Sequence, residues 1–356
     1  MRARVSRHVM AMARARIGTH NGTFHCDEVL ACSLLRHLPR YKDAAIVRTR
    51  DPELLAACDV VVDVGAEYDP SRHRYDHHQR DFSECMNSLW PSKPWKTKLS
   101  SAGLIFLHFG EQVLASILEV SPKDLRLPTL YNKMYEGFVQ EIDAIDNGIS
   151  QHDSEPRYII TTHLSARVSR LNTPWNDSHA DTKARFEQAL RIVGEEFHER
   201  LMHYWSVWLP ARSLVSQALQ ERMEVLLLMV HNSGEIVCLT SGGCPWKEHL
   251  FDLEVELGLS TPIKFVLYLD QNGGWRVQCV PILMHSFQNR LSLPEPWRGL
   301  RGESLSQITG IPDCIFVHAN GFIGGNAKKE GALAMARAAL RLELCADNEG
   351  NADKQS

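Results

Sequence analysis

The chain has 356 residues, which exceeds the usual size of one hydrophobic core and predicts two domains. Apolar residues make up 44% of the sequence and charged residues 23%, as expected of a folded globular protein, and no apolar run is long enough to predict a membrane-spanning helix. The formal net charge of −4 excludes a polycation that coats nucleic acid through bulk electrostatics, so any nucleic-acid contact should be local.

The nine cysteines are scattered singly, and no CxxC pair is present. This distribution argues against a disulfide-stapled secreted domain and against a structural zinc finger. A reducing compartment is therefore expected.

Residues 1–16 have the composition of a mitochondrial presequence, with five arginines in a stretch rich in alanine, valine and methionine. No acidic residue precedes Asp27. The alternative is a disordered basic tail, but the pattern favours a targeting segment.

After the basic segment, short strand patterns alternate with helical ones. The predicted elements are a strand at 16–19, a helix at 27–38 closed by Pro39, a strand at 44–49, a helix at 52–57 and a strand at 60–64. This alternation predicts an α/β layer with a parallel sheet. Ligands of such sheets bind beyond the carboxyl ends of the strands.

Three longer helical patterns follow, beginning near Ser100, Leu130 and Thr182. The apolar stripe of the second pattern, aromatic residues included, predicts a helix face buried in the core. After a further helix at 212–222 a second α/β pattern begins, so the domain boundary is predicted near 210–223. Its predicted elements are strands at 224–230, 235–240, 263–269, 275–281 and 314–318 and helices at 303–309 and 327–344. The segments are thus 1–16, 17–215, 220–345 and a disordered polar tail at 346–356.

Asp63 is the most informative single residue, because it interrupts the apolar run at 60–64. A carboxylate in a buried strand must be paired or bound to a cation. The alternative is that Asp63 caps the next element.

His20 and His25 lie around the turn signal Asn21-Gly22, in the loop after the first predicted strand. Such a loop can direct both imidazoles and Asp27 towards one point, which makes the three residues candidate metal ligands. The alternatives are that Asp27 only caps the following helix and that His25 is a polar histidine satisfied by hydrogen bonds.

The triplet Asp76-His77-His78 lies in a polar run. Two adjacent histidines in an extended chain point in opposite directions, so one is a candidate metal ligand and the other a candidate phosphate contact. We interpret Asp76, His77 and His78 as the catalytic part of the site, with His77 also a metal ligand.

Asp143 and Asp146 have i, i+3 spacing just before Asn147-Gly148 ends a predicted helix. Carboxylates at that spacing can share a cation. A solvated acidic helix end is the alternative, although acids at a helix C-terminus oppose the helix dipole.

Imidazole and carboxylate ligands without thiolate pairs suit Mn²⁺ or Mg²⁺, and the imidazoles favour Mn²⁺. Two such ions can activate a water and stabilise both oxygens of an in-line displacement at phosphorus. The sequence therefore predicts a metal-dependent phosphoester hydrolase with two ions. The predicted metal ligands are His20, His25, Asp27, Asp63, His77, Asp143 and Asp146.

Eight segments, in order along the chain, resemble the Myg (melanocyte proliferating gene) exonuclease family, which is related to the DHH phosphoesterases. The segments are His20 to Glu28, Val61 to Gly65, Tyr75 to Arg80, Lys98 to Gly103, Glu141 to Gly148, Cys244 to His249, Trp297 to Arg301 and Phe316 to Gly325. The resemblance runs from about Ile17 to Ala339. Ordered matches of this length are far more specific than a single triplet.

The resemblance implies a 3′-to-5′ exonuclease acting on single-stranded RNA in mitochondria and in the nucleus or nucleolus. It also implies a DHH-type catalytic domain at 17–215 and a smaller α/β substrate-binding domain at 220–345, across a cleft. The RNA substrate, the polarity and the location follow from the resemblance and not from residue spacing.

The chain departs from the DHH pattern at two places. His25 stands where the first acid of the acid-x-acid pair is expected, and Asn326 follows Gly324-Gly325 where relatives have histidine. Glycines let the backbone approach a phosphate or sugar, and the predicted helix start at Ala327 offers N–H groups to an anion. A plain strand-to-helix turn is the alternative.

The remaining substrate-binding candidates are basic or polar residues of the second domain, namely Arg290, His318 and Lys247. Arg276 and Lys328 are weaker candidates for phosphate, and Trp246 or Phe322 for base stacking. Two other functions stay open. One is hydrolysis of small phosphate compounds or short oligonucleotides, and the other is a non-catalytic, metal-stabilised RNA-binding module.

Overall fold

The computed structural model describes residues 14–177, 179, 181–224, 233–284 and 286–352. The chain forms two compact units that divide at Tyr204 and Trp205. The division falls before the predicted boundary near 210–223, because the helix that begins at Leu209 packs in the core of the second unit. Among the described residues no helix is both long and apolar enough to cross a membrane.

The first unit contains a sheet with the order β2-β1-β3-β5-β4. Its strands are β1 (Arg16–Thr19), β2 (Ala45–Arg48), β3 (Val60–Val62), β4 (Tyr68–Asp69) and β5 (Arg74–Tyr75). All pairs are parallel except β4 with β5. The prediction of a parallel α/β layer is confirmed, and its alternating apolar runs form the expected strands.

The first unit contains eight named helices among its described residues, and the first of them packs against the fourth and the eighth. They are α1 (Cys26–Arg36), α2 (Pro52–Ala56), α3 (Met86–Leu89), α4 (Ser101–Ile117), α5 (Leu127–Met134), α6 (Gln140–Asp146), α7 (Leu164–Ser169) and α8 (Thr182–His203). Because α1 is covered by other helices, ten of its residues are buried, including two acids of its first turn. A π-helical turn at Tyr135–Val139 joins α5 to α6.

The second unit contains a sheet with the order β6-β7-β8-β10-β9, in which only β6 and β7 are parallel. Its elements are α9 (Leu209–Glu224), β6 (Ile236–Leu239), α10 (Trp246–Glu256), β7 (Phe265–Leu269), β8 (Trp275–Cys279), α11 (Gly302–Thr309), β9 (Cys314–Val317), β10 (Ile323–Asn326) and α12 (Lys329–Ala352). One apolar cluster lies under α11 and α12, and another lies under α9 and α10.

Several sequence predictions for this unit change. The strand predicted at 224–230 falls almost wholly on 225–232, outside the described residues. The last helix begins at Lys329 and continues to Ala352, so the tail predicted to be disordered from 346 is helical up to that residue. The alanine, leucine, glutamate and arginine residues before 346 are strong helix formers, and the helix continues from them. The predicted presequence lies almost entirely in 1–13, also outside the described residues.

The contact between α4 and α5 is set by a glycine. A Cβ atom at Gly110 would lie 2.7 Å from Cε2 of Tyr131 and 3.2 Å from two ring carbons of Phe106. Tyr131 is fully buried and stacks on Phe106 with ring centroids 4.6 Å apart, so it has no space to move.

We predict that Gly110→Ala destabilises the protein. The steric cost of overpacking, about 1–3 kcal/mol, outweighs the gain of roughly 1 kcal/mol from replacing a mid-helix glycine. Thermal unfolding should show a melting temperature lower by about 2–4 °C per kcal/mol lost. Gln112→Ala, at an exposed position of the same helix, is the matched control. An unchanged or higher melting temperature for Gly110→Ala would contradict this packing.

Candidate metal centre

The first unit brings together side chains that follow three neighbouring strands. His20 follows β1, Asp63 follows β3 and Asp76-His77 follows β5. Asp27 joins them from the first turn of α1. Because parallel strands end at the same edge of a sheet, these residues, distant in sequence, meet beyond one edge.

Asp63 links the two halves of this cluster. It is 3% exposed, with Oδ2 lying 3.2 Å from Nε2 of His20 and Oδ1 lying 3.3 Å from Nε2 of His77. Its φ of +57° is in the left-handed region, which costs a non-glycine residue about 1–2 kcal/mol. Strain of this kind persists where the surroundings fix the residue, often at a functional site. The side chain of Asp63 thus contacts the two histidines of this cluster.

His20 lies between two carboxylates. Its Nδ1 is 3.0 Å from the carbonyl oxygen of Asn21, and its Nε2 is 3.1 Å from Oε1 of Glu28 as well as close to Asp63. Burial lowers the pKa of His20, but the hydrogen bonds to Asp63 and Glu28 outweigh burial and raise that pKa to about 10. Burial likewise raises the pKa of Asp63, but the adjacent imidazoles of His20 and His77 outweigh burial and bring that pKa down to about 2.

Glu28 is a site residue that the sequence reasoning missed. It is fully buried, and its Oε2 accepts a hydrogen bond from the backbone N–H of His25 at 2.8 Å. That bond closes the first turn of α1, as expected for glutamate at the third helical position. The spacing from His25 to Glu28 was a signal for this cap. Its second oxygen faces His20.

Asp27 and His77 are buried and incompletely paired. Among the described residues neither oxygen of Asp27 and neither ring nitrogen of His77 has a hydrogen-bond partner. Nε2 of His77 nevertheless lies 3.2 Å from Oδ2 of Asp146 and 3.7 Å from Oδ2 of Asp27. Burial, followed by the charges of Asp63 and Asp146, raises the pKa of Asp27 well above its ordinary value. Asp27 is inside the first turn, so it is not the N-cap.

This geometry fits a divalent cation. Donor atoms at the corners of an octahedral shell with bonds of about 2.1 Å are about 3.0 Å apart. The distances from the ring nitrogens of His20 and His77 to the neighbouring carboxylate oxygens are close to that spacing. The contacts of His77 do not have hydrogen-bond geometry. A cation would also neutralise acids that are costly to bury together. The overlapping groups able to hold an ion are His20, His25, Glu28 and Asp63, then Asp63, His77 and His78, then His25, Asp27 and Asp146.

The two adjacent histidines differ in exposure but do not point in opposite directions as predicted, because their ring centroids lie 4.4 Å apart and both rings lie near Oδ1 of Asp63. The side chain of His77 is 5% exposed and that of His78 is 62% exposed. Nδ1 of His78 lies 2.7 Å from Oδ1 of Asp76, and this hydrogen bond raises the pKa of His78. Asp76 also accepts hydrogen bonds from the backbone N–H groups of His77, His78 and Ala66. Asp76 therefore orients the triplet, and its contacts are those of a positioning residue.

The loop that carries His20 and His25 is fixed from its other side. The side-chain amide of Asn172 accepts from the N–H of Phe24 at 2.8 Å and donates to its carbonyl at 2.7 Å. Arg48 donates to the carbonyl of Gly22 at 2.8 Å. The backbone of the loop is thus set before any ion binds.

Asp143 has a different role from the one predicted. It is fully buried, and Oδ1 accepts from Ser100 N, Ser100 Oγ and Gly103 N at 2.7–3.0 Å, while Oδ2 accepts from Tyr135 at 3.0 Å. A Cβ on Gly103 would lie 2.3 Å from Asp143. With both oxygens occupied at the N-terminus of α4, Asp143 is not placed as a ligand. Asp146 is the acid of this pair that faces His77.

Comparison with known proteins places these residues in a family. The model of the MYG1 exonuclease family, described as an uncharacterised protein family (UPF0160), matches residues 16–340. The chain belongs to the MYG1 exonuclease family. It is 64% identical over 330 residues to the MYG1 exonuclease of Bos taurus, covering 92% of this chain and 85% of that protein. The resemblance identified from the sequence is confirmed.

Similarity to this family extends to distant organisms. The chain is 46% identical over 335 residues to the MYG1 protein YER156C of Saccharomyces cerevisiae, covering 91% of this chain and 95% of that protein. Among solved structures, a pGpG-specific phosphodiesterase from Vibrio cholerae aligns with a TM-score of 0.28 and 13% identity, covering 96% of this chain and 100% of that one. A likeness that low supports no inference about this chain.

In this member of the MYG1 exonuclease family, the glycine pair predicted to contact the substrate lies in a strand. Gly324, Gly325 and Asn326 belong to β10 and pair with β8 and β9. The amide of Asn326 is fully buried, donates to the carbonyl of Pro312 and accepts from the N–H of Lys328. The glycines allow close packing, since a Cβ would lie 2.9 Å from Leu293 at Gly324 and 2.3 Å from Arg276 at Gly325. These contacts are internal to the protein, and the alternative of a plain turn does not describe the segment either.

The other predicted substrate contacts differ in availability. Arg290 forms a bidentate ion pair with Glu254 at 2.6 and 2.7 Å and donates to the carbonyl of Ile263. Its guanidinium group is therefore already bound within the protein. His318 and Lys247 are exposed. Nδ1 of His318 accepts from the N–H of Asn320, and its ring packs 4.6 Å from that of Phe322. These contacts leave only Lys247 and part of His318 open to a substrate.

Two substitutions separate the roles of the two helix acids. Asp143→Asn should lower the melting temperature by several degrees, because an amide cannot accept all four hydrogen bonds and charge-assisted bonds contribute about 1.5–3 kcal/mol. Asp146→Asn should instead weaken metal binding and change the metal-free melting temperature little. Thermal unfolding and Mn²⁺ titration measure the two effects. Loss of metal affinity confined to Asp143→Asn would reverse this assignment.

The buried cluster makes stability depend on pH in opposite ways with and without metal. The pKa of His20 in the folded state, about 10, exceeds its unfolded value near 6.5, so its stabilisation is complete below pH 6.5 and is lost as pH rises towards 10. Metal binding requires neutral histidine and therefore strengthens over the same range. We predict that the rise in melting temperature on adding Mn²⁺ is larger at pH 8 than at pH 6. A rise that is constant or shrinks with pH would contradict this linkage, and a His20→Gln variant is the control.

Proposed function

We propose that this member of the MYG1 exonuclease family is a divalent-metal-dependent phosphodiesterase that removes nucleotides from the 3′ end of single-stranded RNA. The observation that carries this proposal is the convergence of Asp63, Asp27 and His77, whose buried donor atoms face one another. Among the described residues, the donor atoms of Asp27 and His77 have no hydrogen-bond partner. An arrangement of that kind is typical of a centre built for cations.

The imidazole and carboxylate ligands favour Mn²⁺, with Mg²⁺ as the alternative. Two ions would share Asp63 as a ligand. His20 and Glu28 lie on one side of Asp63, and His77 lies on the other. When bound, two such ions supply an activated water and neutralise charge on the phosphate oxygens. His78, exposed beside the cluster and oriented by Asp76, is placed to contact the phosphate or to give a proton to the leaving oxygen.

The substrate and direction of attack rest on the family. The bovine relative is named an exonuclease, and the chain is similar to it over 92% of its length. RNA as substrate, 3′ polarity and action in mitochondria and in the nucleus or nucleolus are inferred from the resemblance. The arginine-rich segment at 1–16 supports mitochondrial targeting.

A second candidate is hydrolysis of short oligonucleotides or small phosphate compounds, which the formal charge of −4 favours. A long RNA would gain little from bulk electrostatic attraction to such a protein. A metal-stabilised RNA-binding module without catalysis is the third candidate.

Purified protein loaded with Mn²⁺ should release mononucleotides from 3′-labelled single-stranded RNA, and EDTA should abolish the release. Asp63→Asn should lower the rate by at least about 100-fold, because removing a ligand weakens both ion positions. Asparagine suits this position, since it tolerates the left-handed backbone. Glu195→Gln, which alters an exposed carboxylate on α8, is the matched control and should keep full activity.

Three outcomes distinguish the candidates. Early release of label from 5′-labelled RNA would reverse the polarity. Faster turnover of dinucleotides than of long strands would favour the second candidate. An Asp63→Asn variant that binds metal and RNA like the wild type, with no RNA cleavage by either protein, would leave only the binding module.

A further inference from the structure

The metal centre opens into a cavity that is also lined by basic residues. The cavity has a volume of about 860 Å³, and its lining includes His20, His25, Asp63, Asp76 and His78 of the cluster. Its lining also includes three arginines, namely Arg50 from the loop after β2, Arg72 before β5 and Arg74 in β5. Acids that suit cations and arginines that suit anions therefore line one cavity.

A second cavity, of about 640 Å³, adjoins the same centre. It shares His25 and His78 with the first and is lined by Asp27, His77 and Asp146. The proposed metal ligands thus lie between two spaces, and a phosphodiester held at the centre would extend into both. Of these two cavities, only the first is lined by arginine. The lining of the second contains one lysine, Lys98, and no arginine.

Apolar side chains also line the first cavity. They are Leu55, Ala56, Val61 and Val64, and three of them are at least nine-tenths buried in a small apolar cluster. Apolar lining of this kind suits the ring of a nucleoside, and the charged lining suits its phosphates. The size and chemistry of the cavity therefore match one nucleoside unit that carries two phosphates.

The three arginines keep a net positive charge. Arg50 is exposed and forms no hydrogen bond or ion pair with any residue that the structure describes. Arg74 donates to the backbone carbonyls of Cys58, Arg72 and His73, which fixes its position without cancelling its charge. Arg72 pairs with Glu67, which also lines the cavity. The three arginines and Glu67 carry a net charge of +2, whereas Asp63 and Asp76, the other carboxylates of the lining, belong to the metal cluster.

We propose that this cavity binds the terminal nucleoside unit of the substrate and that Arg50 and Arg74 bind a second phosphate group carried by that unit, beyond the scissile phosphate. Guanidinium groups bind phosphate through paired hydrogen bonds, which gives both charge and direction. This inference rests on the proposed function, since it names a feature of the substrate for that same site.

For 3′-to-5′ attack, the second phosphate is a terminal 3′-phosphate. Hydrolysis adds the water oxygen to the scissile phosphorus and returns a proton to the leaving oxygen, while the 3′-phosphate is unchanged. The product released from the cavity is then a nucleoside 3′,5′-bisphosphate. A 3′-phosphorylated end is therefore the preferred substrate.

The test compares a diribonucleotide ending in a 3′-phosphate with the same molecule ending in a 3′-hydroxyl, using Mn²⁺-loaded full-length protein. The wild type should favour the phosphorylated substrate at least tenfold in kcat/KM. Arg50→Ala should lower that ratio at least fivefold, and Arg50→Lys should restore part of it. Arg191→Ala, an exposed arginine on α8, should keep the ratio within twofold.

Equal kcat/KM for the two dinucleotides in the wild type would overturn the proposal, as would a preference that Arg50→Ala leaves intact. Binding tests the subsite without turnover. By calorimetry in Ca²⁺, a nucleoside 3′,5′-bisphosphate should bind the wild type at least fivefold more tightly than the 5′-monophosphate, and Arg50→Ala should remove that difference. If neither dinucleotide is hydrolysed but this difference is seen, the proposed function fails and the phosphate subsite stands. Equal affinities would overturn the subsite.

Discussion

The burial of several carboxylates facing one point is the constraint on which the rest of the first unit depends. Asp27, Glu28 and Asp63 are at most 3% exposed, and Asp146 lies beside them. Like charges in a low-dielectric interior repel strongly, and the histidines between them offset only part of that repulsion. A divalent cation bound here would neutralise the remainder, and the same concentration of carboxylates raises the pKa of His20.

The fold supports this cluster through backbone contacts and not through the ligands alone. Parallel strands bring the ends of β1, β3 and β5 to one edge of the sheet, and Asn172 fixes the loop after β1. Asp143 fixes the start of α4, where Ser101 donates to the carbonyl of Tyr75, next to the histidine triplet. The residues around the centre are therefore positioned before a metal ion arrives.

The sheet and most of the cluster could be predicted from the sequence. Runs of β-branched residues that end in an acid or a histidine are unusual, so each can be interpreted from the residues next to it. The sequence could not show that Asp143 and Asp146 have different roles, because those roles depend on which part of the fold lies opposite each side chain. Glu28 was hidden because capping accounts for a glutamate at that position by itself. The strand character of Gly324 to Asn326 was also missed, because glycine pairs indicate turns unless neighbouring strands are known to pack closely.

The most direct test of this account is diffraction from crystals grown with Mn²⁺ and measured at the manganese absorption edge. We expect two anomalous peaks about 3.5–4 Å apart, with Asp63 coordinating both ions and with His20 and His77 on opposite sides. Peaks found only at surface acids, or none at this cluster in protein that cleaves RNA, would contradict it.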